Sequence, residues 1–354
     1  MMNHNFSAGP GILPKEVLQQ AADACVDFNN SGLSLLEISH RGKNVIAVFD
    51  EAASLVKKLL NLNDEYEVVF LQGGASMQFS MVPHNFLNTK AAYLNTGVWA
   101  SKAINEAKHY GQTVVVASSE ENKFRNIPKE YVIPSDADYF HITSNNTIYG
   151  TQMRAFPETS IPMFCDMSSD IFSHPIDANK FSLIYAGMQK NMGPAGATLV
   201  VIHKGMLDRI KRTMPSMYNY KIHIENESMY NTPPVFAVYV AMLTLRWLEK
   251  NGGVEAAGKR NEAKADLFYS ELDRNSFFEG TVEKEARSWM NANFVLKDPS
   301  LEESFNKLIK EAGITGLAGH RSVGGYRASM YNALPVESVK VLSELMKNFE
   351  ETHD

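Results

Sequence analysis

Residues 181–203 read FSLIYAGMQKNMGPAGATLVVIH. The flanking runs, FSLIYAG and ATLVVIH, are short, continuous and apolar, the pattern of strands buried on both faces. Between them stands Lys190, in a loop with Gly187, Gly193, Pro194 and Gly196. A lysine is almost never fully buried unless it is paired or used. At a strand end, partial desolvation disfavours the ammonium and lowers its pKa, which makes the amine a nucleophile toward carbonyls. The plainer reading is a lysine in a surface turn.

Working outward, the same texture repeats in EVVFLQ (67–72), AAYLNT (91–96), TVVVAS (113–118), YFHIT (139–143) and IPMFCDM (161–167). Helical spacing marks 15–30, 44–62, 75–86 and 99–111 between and before these strands. Strands alternating with helices predict an α/β fold with a largely parallel sheet flanked by helices. Beyond residue 235 the texture changes. A long apolar helix ends at Gly252 and Gly253, a polar helix covers 254–275, strand-like pieces fall at 288–296 and 325–331, and a last helix spans 335–350. This predicts a large domain over 15–250 and a smaller α+β domain over 251–354, joined by the Gly/Pro-rich arm of residues 1–14.

The 354 residues are 44% hydrophobic and 21% charged, with a formal net charge of −6. No broad basic field invites nucleic acid or an anionic membrane. The two cysteines, Cys25 and Cys165, form no CxxC pair and no metal-ligand spacing, so no metal site is expected and a reducing compartment fits. The first residues lack a basic segment followed by an apolar one, and no apolar run is long enough to span a bilayer. A cytoplasmic protein is expected.

Several residues fall after predicted strands, where α/β sheets bind ligands. Asp166 ends IPMFCD, one connection before Lys190, and could hold a ring nitrogen protonated; alone it would be read as a helix cap. LQGGASMQF enters two glycines and starts a helix, so Ala75 and Ser76 could present amides to a phosphate. It is not a nucleotide P-loop. Trp99 opens the next helix and could stack on an aromatic ring. Thr147, in SNNTIYG, adds a hydroxyl. EISHRGK supplies His40, Arg41 and Lys43, and AGHRSVGGYRAS supplies His320, Arg321 and Arg327, as candidate anion clamps. Each piece alone has an ordinary structural explanation. Their convergence on one edge points to a pyridoxal 5'-phosphate (PLP) enzyme.

The strings NFSAGP, EISHRGK, FLQGGASMQF, SNNTIYG, DMSSDIFS, AGMQKNMGPAG, YNTPPVFAVY and GHRSVGGYRASMYNA, spread nearly end to end, resemble the phosphoserine aminotransferase family of class V, fold-type I PLP enzymes. That resemblance implies a seven-stranded, mostly parallel sheet and a homodimer with shared active sites. It implies that Lys190 holds PLP as a Schiff base and moves the proton, Asp166 pairs with the pyridine nitrogen, Trp99 stacks on the ring and Thr147 binds near its hydroxyl. Ala75, Ser76 and Gln189 would bind the phosphate, and Asn231 and Thr232 that of a partner's cofactor. Arg327 would take the substrate α-carboxylate, and His40, Arg41, His320 and Arg321 the distal anion. Some relatives have an arginine where Ser76 stands, so the Ser76 backbone amide is the firmer expectation.

The implied reaction is ping-pong transfer of an amino group from glutamate to 3-phosphonooxypyruvate, giving O-phospho-L-serine for L-serine biosynthesis. Some members also aminate a longer phosphorylated oxo acid of vitamin B6 synthesis, and the resemblance admits that activity here. Three alternatives compete with this reading. A cysteine desulfurase needs an exposed loop thiolate, and neither cysteine sits in a predicted loop. An alanine–glyoxylate type aminotransferase needs no second clamp. A non-catalytic PLP-binding protein needs no substrate arginines.

Overall fold

A computed structural model describes residues 3–353. Residues 1, 2 and 354, at the outer ends of the expected small domain, lie outside the described part. Seven strands form one sheet: β1 (Tyr66–Leu71), β2 (Lys90–Asn95), β3 (Gln112–Ser118), β4 (Phe140–Thr143), β5 (Met163–Asp166), β6 (Leu183–Gly187) and β7 (Thr198–His203). Their order is β1-β7-β6-β5-β4-β2-β3. All pairs are parallel except those of β7, which runs antiparallel to both β6 and β1. The antiparallel step follows from the short loop that carries Lys190, since parallel neighbours need a longer crossover.

Leu199, Val200, Val201 and Ile202 of β7 are all fully buried. Each such side chain contributes about 1.5–3 kcal/mol relative to an exposed one. The expectation of burial on both faces fails for TVVVAS. β3 is an edge strand with β2 as its sole partner in the sheet, and its Val115 is 45% exposed. An edge has one neighbour fewer to cover its faces, whatever its hydrophobicity.

Helices α1 (Lys15–Val26), α2 (Lys43–Leu59), α3 (Gly74–Phe86), α4 (Val98–Ala107), α5 (Tyr220–Glu225) and α6 (Val235–Lys250) accompany this sheet. The first ends at Val26, four residues short of the expected 30, because residues 29 and 30 are asparagines with positive φ. α2 packs along α6 on one face of the sheet, with α1 also against α6. On the other face α3 and α4 cover Tyr93, Tyr139, Phe164 and Tyr185.

A second core lies around the three-stranded antiparallel sheet β8 (Phe278–Gly280), β9 (Asn291–Leu296) and β10 (Tyr326–Ser329). It is covered by α7 (Gly253–Arg274), α8 (Glu302–Glu311) and α9 (Val336–His353). α7 bridges the two cores: Val254 and Ala257 pack with the large sheet, Ala265, Phe268 and Leu272 with the small one. The N-terminal arm does the same. His4 and Asn5 pair with Ile314 and Thr315, Phe6 enters the small core, and Gly11 N–H donates to the Gln189 carbonyl at 2.7 Å. A Cβ on Gly11 would stand 2.9 Å from the Lys190 carbonyl oxygen and 2.7 Å from the Tyr331 ring, so the arm passes too close there for any other residue.

Candidate active site

β5 and β6 are parallel neighbours, with Asp166 opposite Tyr185. Their carboxyl ends therefore deliver Asp166 directly and, a few residues past Gly187, Lys190 to one edge of the sheet. The connection between them contains no α-helix, only turns and a short 3-10 segment, Ala178–Lys180. A cavity of about 300 Å³ opens there. Of the residues singled out from sequence, it is lined by Ala75, Ser76, Trp99, Thr147, Asp166, Gln189, Lys190, His320 and Arg327.

Asp166 is buried, and its Oδ1 accepts the Ser168 N–H at 2.9 Å. Burial pushes its pKa up; Lys190 and the Ser168 bond pull it down. Burial pushes Lys190 down, with Arg327 adding to it, while Asp166 and Asp170 oppose. A buried carboxylate whose second oxygen is free favours a cationic partner in the cavity, because desolvation is offset only by pairing.

α3 begins at this edge. Gly73 precedes it in a left-handed conformation, φ +96°, and no side chain caps the helix. The N–H groups of its first turn, on Gly74, Ala75 and Ser76, are therefore free to bind an anion, with the helix dipole behind them. Any Cβ on Gly73 would lie 2.5 Å from Met77 Cβ, so glycine is required twice over.

Trp99, in the first turn of α4, donates from Nε1 to Thr147 Oγ1 at 3.1 Å, which fixes the plane of its ring at the cavity wall. The Lys190 ammonium is 5.9 Å from the ring centroid. Arg327 comes from β10 of the small sheet and donates to the Thr147 carbonyl at 3.0 Å. Its buried Nε has no protein partner. Burial lowers the Arg327 pKa, and the guanidinium remains a cation in need of an anion. His320 Nδ1 bonds with the Ser322 hydroxyl at 2.7 Å. Burial and the neighbouring Arg327, Arg321 and Lys102 lower the His320 pKa.

Six expected residues stand outside this cavity, among them Lys43, exposed at the start of α2. Arg321 is exposed on the loop beside His320. His40 is half-buried and Arg41 exposed, just before α2. Asn231 donates to the Gln72 side chain at 3.0 Å, next to exposed Thr232, near the start of α3 but on its outer side.

Sequence reasoning missed several lining residues. Thr143 ends β4, and its Oγ1 is buried in the site without a partner. Asn145, Ser168 and Ser169 also line the cavity. Thr143 and Ser168 carried a usable signal, since both sit at a strand's carboxyl end like Asp166. Lys102, three residues after Trp99 and so on the same helix face, lays its ammonium 4.7 Å from the indole centroid. The lining thus combines a flat indole, free helix-start amides, a buried carboxylate, an amine and an arginine. That set fits a planar aromatic aldehyde bearing a phosphate and a basic ring nitrogen, which is PLP.

The sequence family described as aminotransferase class-V matches residues 3–342. The chain is 60% identical over 353 residues to the phosphoserine aminotransferase of Flavobacterium psychrophilum, covering 99% of each chain. It is 54% identical over 355 residues to that of Bacteroides fragilis, covering all of both. The chain belongs to the phosphoserine aminotransferase family. Its fold superposes on the solved phosphoserine aminotransferase from Bacillus circulans subsp. alkalophilus with a TM-score of 0.97, at 45% identity, covering 100% of this chain and 99% of that one. A PLP-bound phosphoserine aminotransferase from Trichomonas vaginalis matches at a TM-score of 0.93 and 37% identity, over 98% and 100%. An alanine–glyoxylate aminotransferase from Nostoc shares the fold at a TM-score of 0.74 but only 15% identity, which speaks to architecture alone. Membership in the class-V family carries the fold-type I architecture with it. Among the described residues no helix is long and apolar enough to cross a membrane, and no His/Cys/Asp/Glu cluster could hold a metal.

Proposed function

We propose that this cavity binds PLP and transfers the amino group of L-glutamate to 3-phosphonooxypyruvate, giving O-phospho-L-serine and 2-oxoglutarate. The observation that carries the reading is the meeting of Lys190, Asp166 and the uncapped start of α3 in one cavity. When bound, PLP supplies an aldehyde that takes up amino groups and a ring that draws electrons from the substrate Cα.

The chain's residues do the rest. Asp166 holds a positive charge at the ring nitrogen. The amides of Ala75 and Ser76, with Gln189, fix the phosphate. Trp99, whose N–H is bonded to Thr147 Oγ1, would cover the ring face, and Thr147 would serve the ring hydroxyl. Lys190 would hold the cofactor through Nζ, and its amine would hold and move the proton at the substrate Cα. Burial lowers its pKa, against the pull of Asp166 and Asp170, in the direction that favours the neutral amine. Arg327 grips the α-carboxylate with the fork that the Thr147 carbonyl orients.

His320, Arg321, His40 and Arg41 take the distal group, a carboxylate in glutamate and a phosphate in the acceptor, with some of the three that stand outside their own cavity reaching it from a second copy of the chain. Lys102, His320, Arg321 and Arg327 have no carboxylate partner among the described residues, which favours a doubly anionic substrate over a small neutral one.

The working unit in this reading is a homodimer. Asn231 and Thr232 lie outside their own cavity and near exposed Met217 and Tyr230, a surface suited to reaching a second copy's phosphate site. The domain boundaries belong to the same proposal, residues 15–250 against the arm and 251–354. So do a cytoplasmic location and a side activity on the longer phosphorylated oxo acid of vitamin B6 synthesis. Turnover of that acid at under about one thousandth of the main kcat/KM, a gap of ~4 kcal/mol, would remove the side activity.

Borohydride reduction followed by peptide mass mapping tests the core of the proposal. The cofactor mass is expected on the peptide containing Lys190; an adduct on another lysine overturns the assignment.

A further inference from the structure

Asp170 follows Asp166 by four residues, is 5% exposed, and plays no part in the reaction above. Its Oδ1 meets the Ser144 hydroxyl, and its Oδ2 accepts from Gln152 Nε2 at 3.2 Å. Gln152 cannot turn its amide round, because its Oε1 already accepts the Trp289 N–H at 2.9 Å. The Ser144 hydroxyl also lies 3.1 Å from the Asp166 carbonyl oxygen, and the Ser144 N–H donates to that same oxygen at 3.0 Å.

The protons can be counted. Ser144 Oγ faces two oxygens, and its hydroxyl has one proton. The Asp166 carbonyl can only accept. If Asp170 were ionised, it too could only accept, and one of the two buried contacts would be an unbonded approach of two oxygens. A single proton on Asp170 resolves both. Asp170 then donates to Ser144 Oγ, Ser144 donates to the Asp166 carbonyl, and Gln152 still donates to the other Asp170 oxygen. We propose that Asp170 is a positioning residue, a neutral carboxylic acid that donates through Ser144 to the Asp166 backbone, fixing the carboxylate that faces the cofactor ring and leaving one negative charge there.

The surroundings agree. The charged and titratable groups that face Asp170 are Asp166 and Cys165 on β5, Lys190 after β6 and Tyr331 after β10. Burial pushes the Asp170 pKa up to about 7; the Ser144 and Gln152 bonds and Lys190 pull against this, and Asp166 adds to it. A second buried anion four residues from Asp166 would repel it and would hold Lys190 charged, both adverse to the proposed chemistry. The inference rests on the role given to Asp166, but its test does not.

The infrared spectrum of wild type minus that of Asp170→Asn, taken at pH 6 without PLP, is expected to show the carbonyl band of a buried protonated carboxyl. That band should shift in Ser144→Ala. No such band in wild type overturns the proposal, whether or not PLP binds as described. In PLP titrations, Asp170→Ala is expected to bind about tenfold more weakly, the worth of one lost hydrogen bond to a buried group. Asp170→Asn, whose amide can donate to Ser144 and accept from Gln152, should recover most of that loss. An Asn variant as weak as the Ala variant, both retaining the wild-type circular dichroism, contradicts it.

Discussion

Lys190 and Asp166 illustrate what a single residue's surroundings can do. Each is costly to bury as an ion, and each pulls the other's pKa back toward its ordinary value. A bound cation at the ring nitrogen would relieve Asp166. Asp166→Asn removes that relief while keeping the shape, so PLP affinity and kcat should both fall, kcat by at least about a hundredfold. Stopped-flow turnover measures this, and an Asn variant within a few-fold of wild type would refute the role. Arg327→Lys keeps a charge but loses the fork held by the Thr147 carbonyl. It should raise KM for glutamate about tenfold to a hundredfold with a smaller effect on kcat, since bidentate recognition is worth about 1.5–3 kcal/mol. Initial-rate kinetics decide this, and an unchanged KM would place the carboxylate elsewhere.

At the scale of elements, the site is an edge where helix starts and strand ends meet. Removing the freedom of Gly73 should disturb that edge. Gly73→Ala forces a Cβ against Met77 at a φ of +96°. We expect a loss of about 1–3 kcal/mol in stability and weaker PLP binding as the first turn of α3 shifts. Denaturant melts and PLP titrations check both, and wild-type values in each would mean that α3 does not hold the phosphate.

This is also where the sequence was most and least readable. All seven sheet strands were legible, because apolar runs between marked turns leave little choice, as FSLIYAG, between Asn179 and Gly187, and ATLVVIH, between Gly196 and Gly205, show. Lys190, Asp166 and the GGAS turn were legible as strand-end features. The antiparallel run of β7 was not read, although the short loop between FSLIYAG and ATLVVIH leaves no room for a parallel crossover. Nor was the exposure of β3, because TVVVAS gives no sign of lying at an edge. Asn145 and Asp170 escaped notice because their meaning lies in partners from separate segments, such as Gln152 and Asn291.

For the whole molecule, buried polar networks tie the two cores together beneath the site. Asn291 of β9 bonds Asn145, Ser329 and Tyr331, and the Tyr331 hydroxyl donates to the Ala8 carbonyl of the arm at 2.6 Å. Protonation at Asp170 should be felt as global stability. With its folded pKa raised to about 7, the native state keeps a proton that the unfolded chain releases near the ordinary carboxyl value. This contribution to stability is therefore full below the unfolded value and is lost as pH rises toward about 7. Urea melts of the PLP-free protein between pH 5 and 7 should show that decline, and Asp170→Asn should flatten it; parallel pH slopes for the two proteins would contradict the account. Native mass spectrometry should find twice the monomer mass if Asn231 and Thr232 complete a neighbour's site, and a monomer that is fully active would exclude that arrangement.

The central claim, two half-reactions on one lysine-bound cofactor, is tested most directly by the visible spectrum of the PLP-loaded protein. A band near ~420 nm is expected from the cofactor on Lys190. Glutamate alone should bleach it, and 3-phosphonooxypyruvate should restore it, in wild type but not in Lys190→Ala. If glutamate bleached the band and only a non-phosphorylated oxo acid restored it, the fold and cofactor would stand, and the assignment of substrate would be wrong.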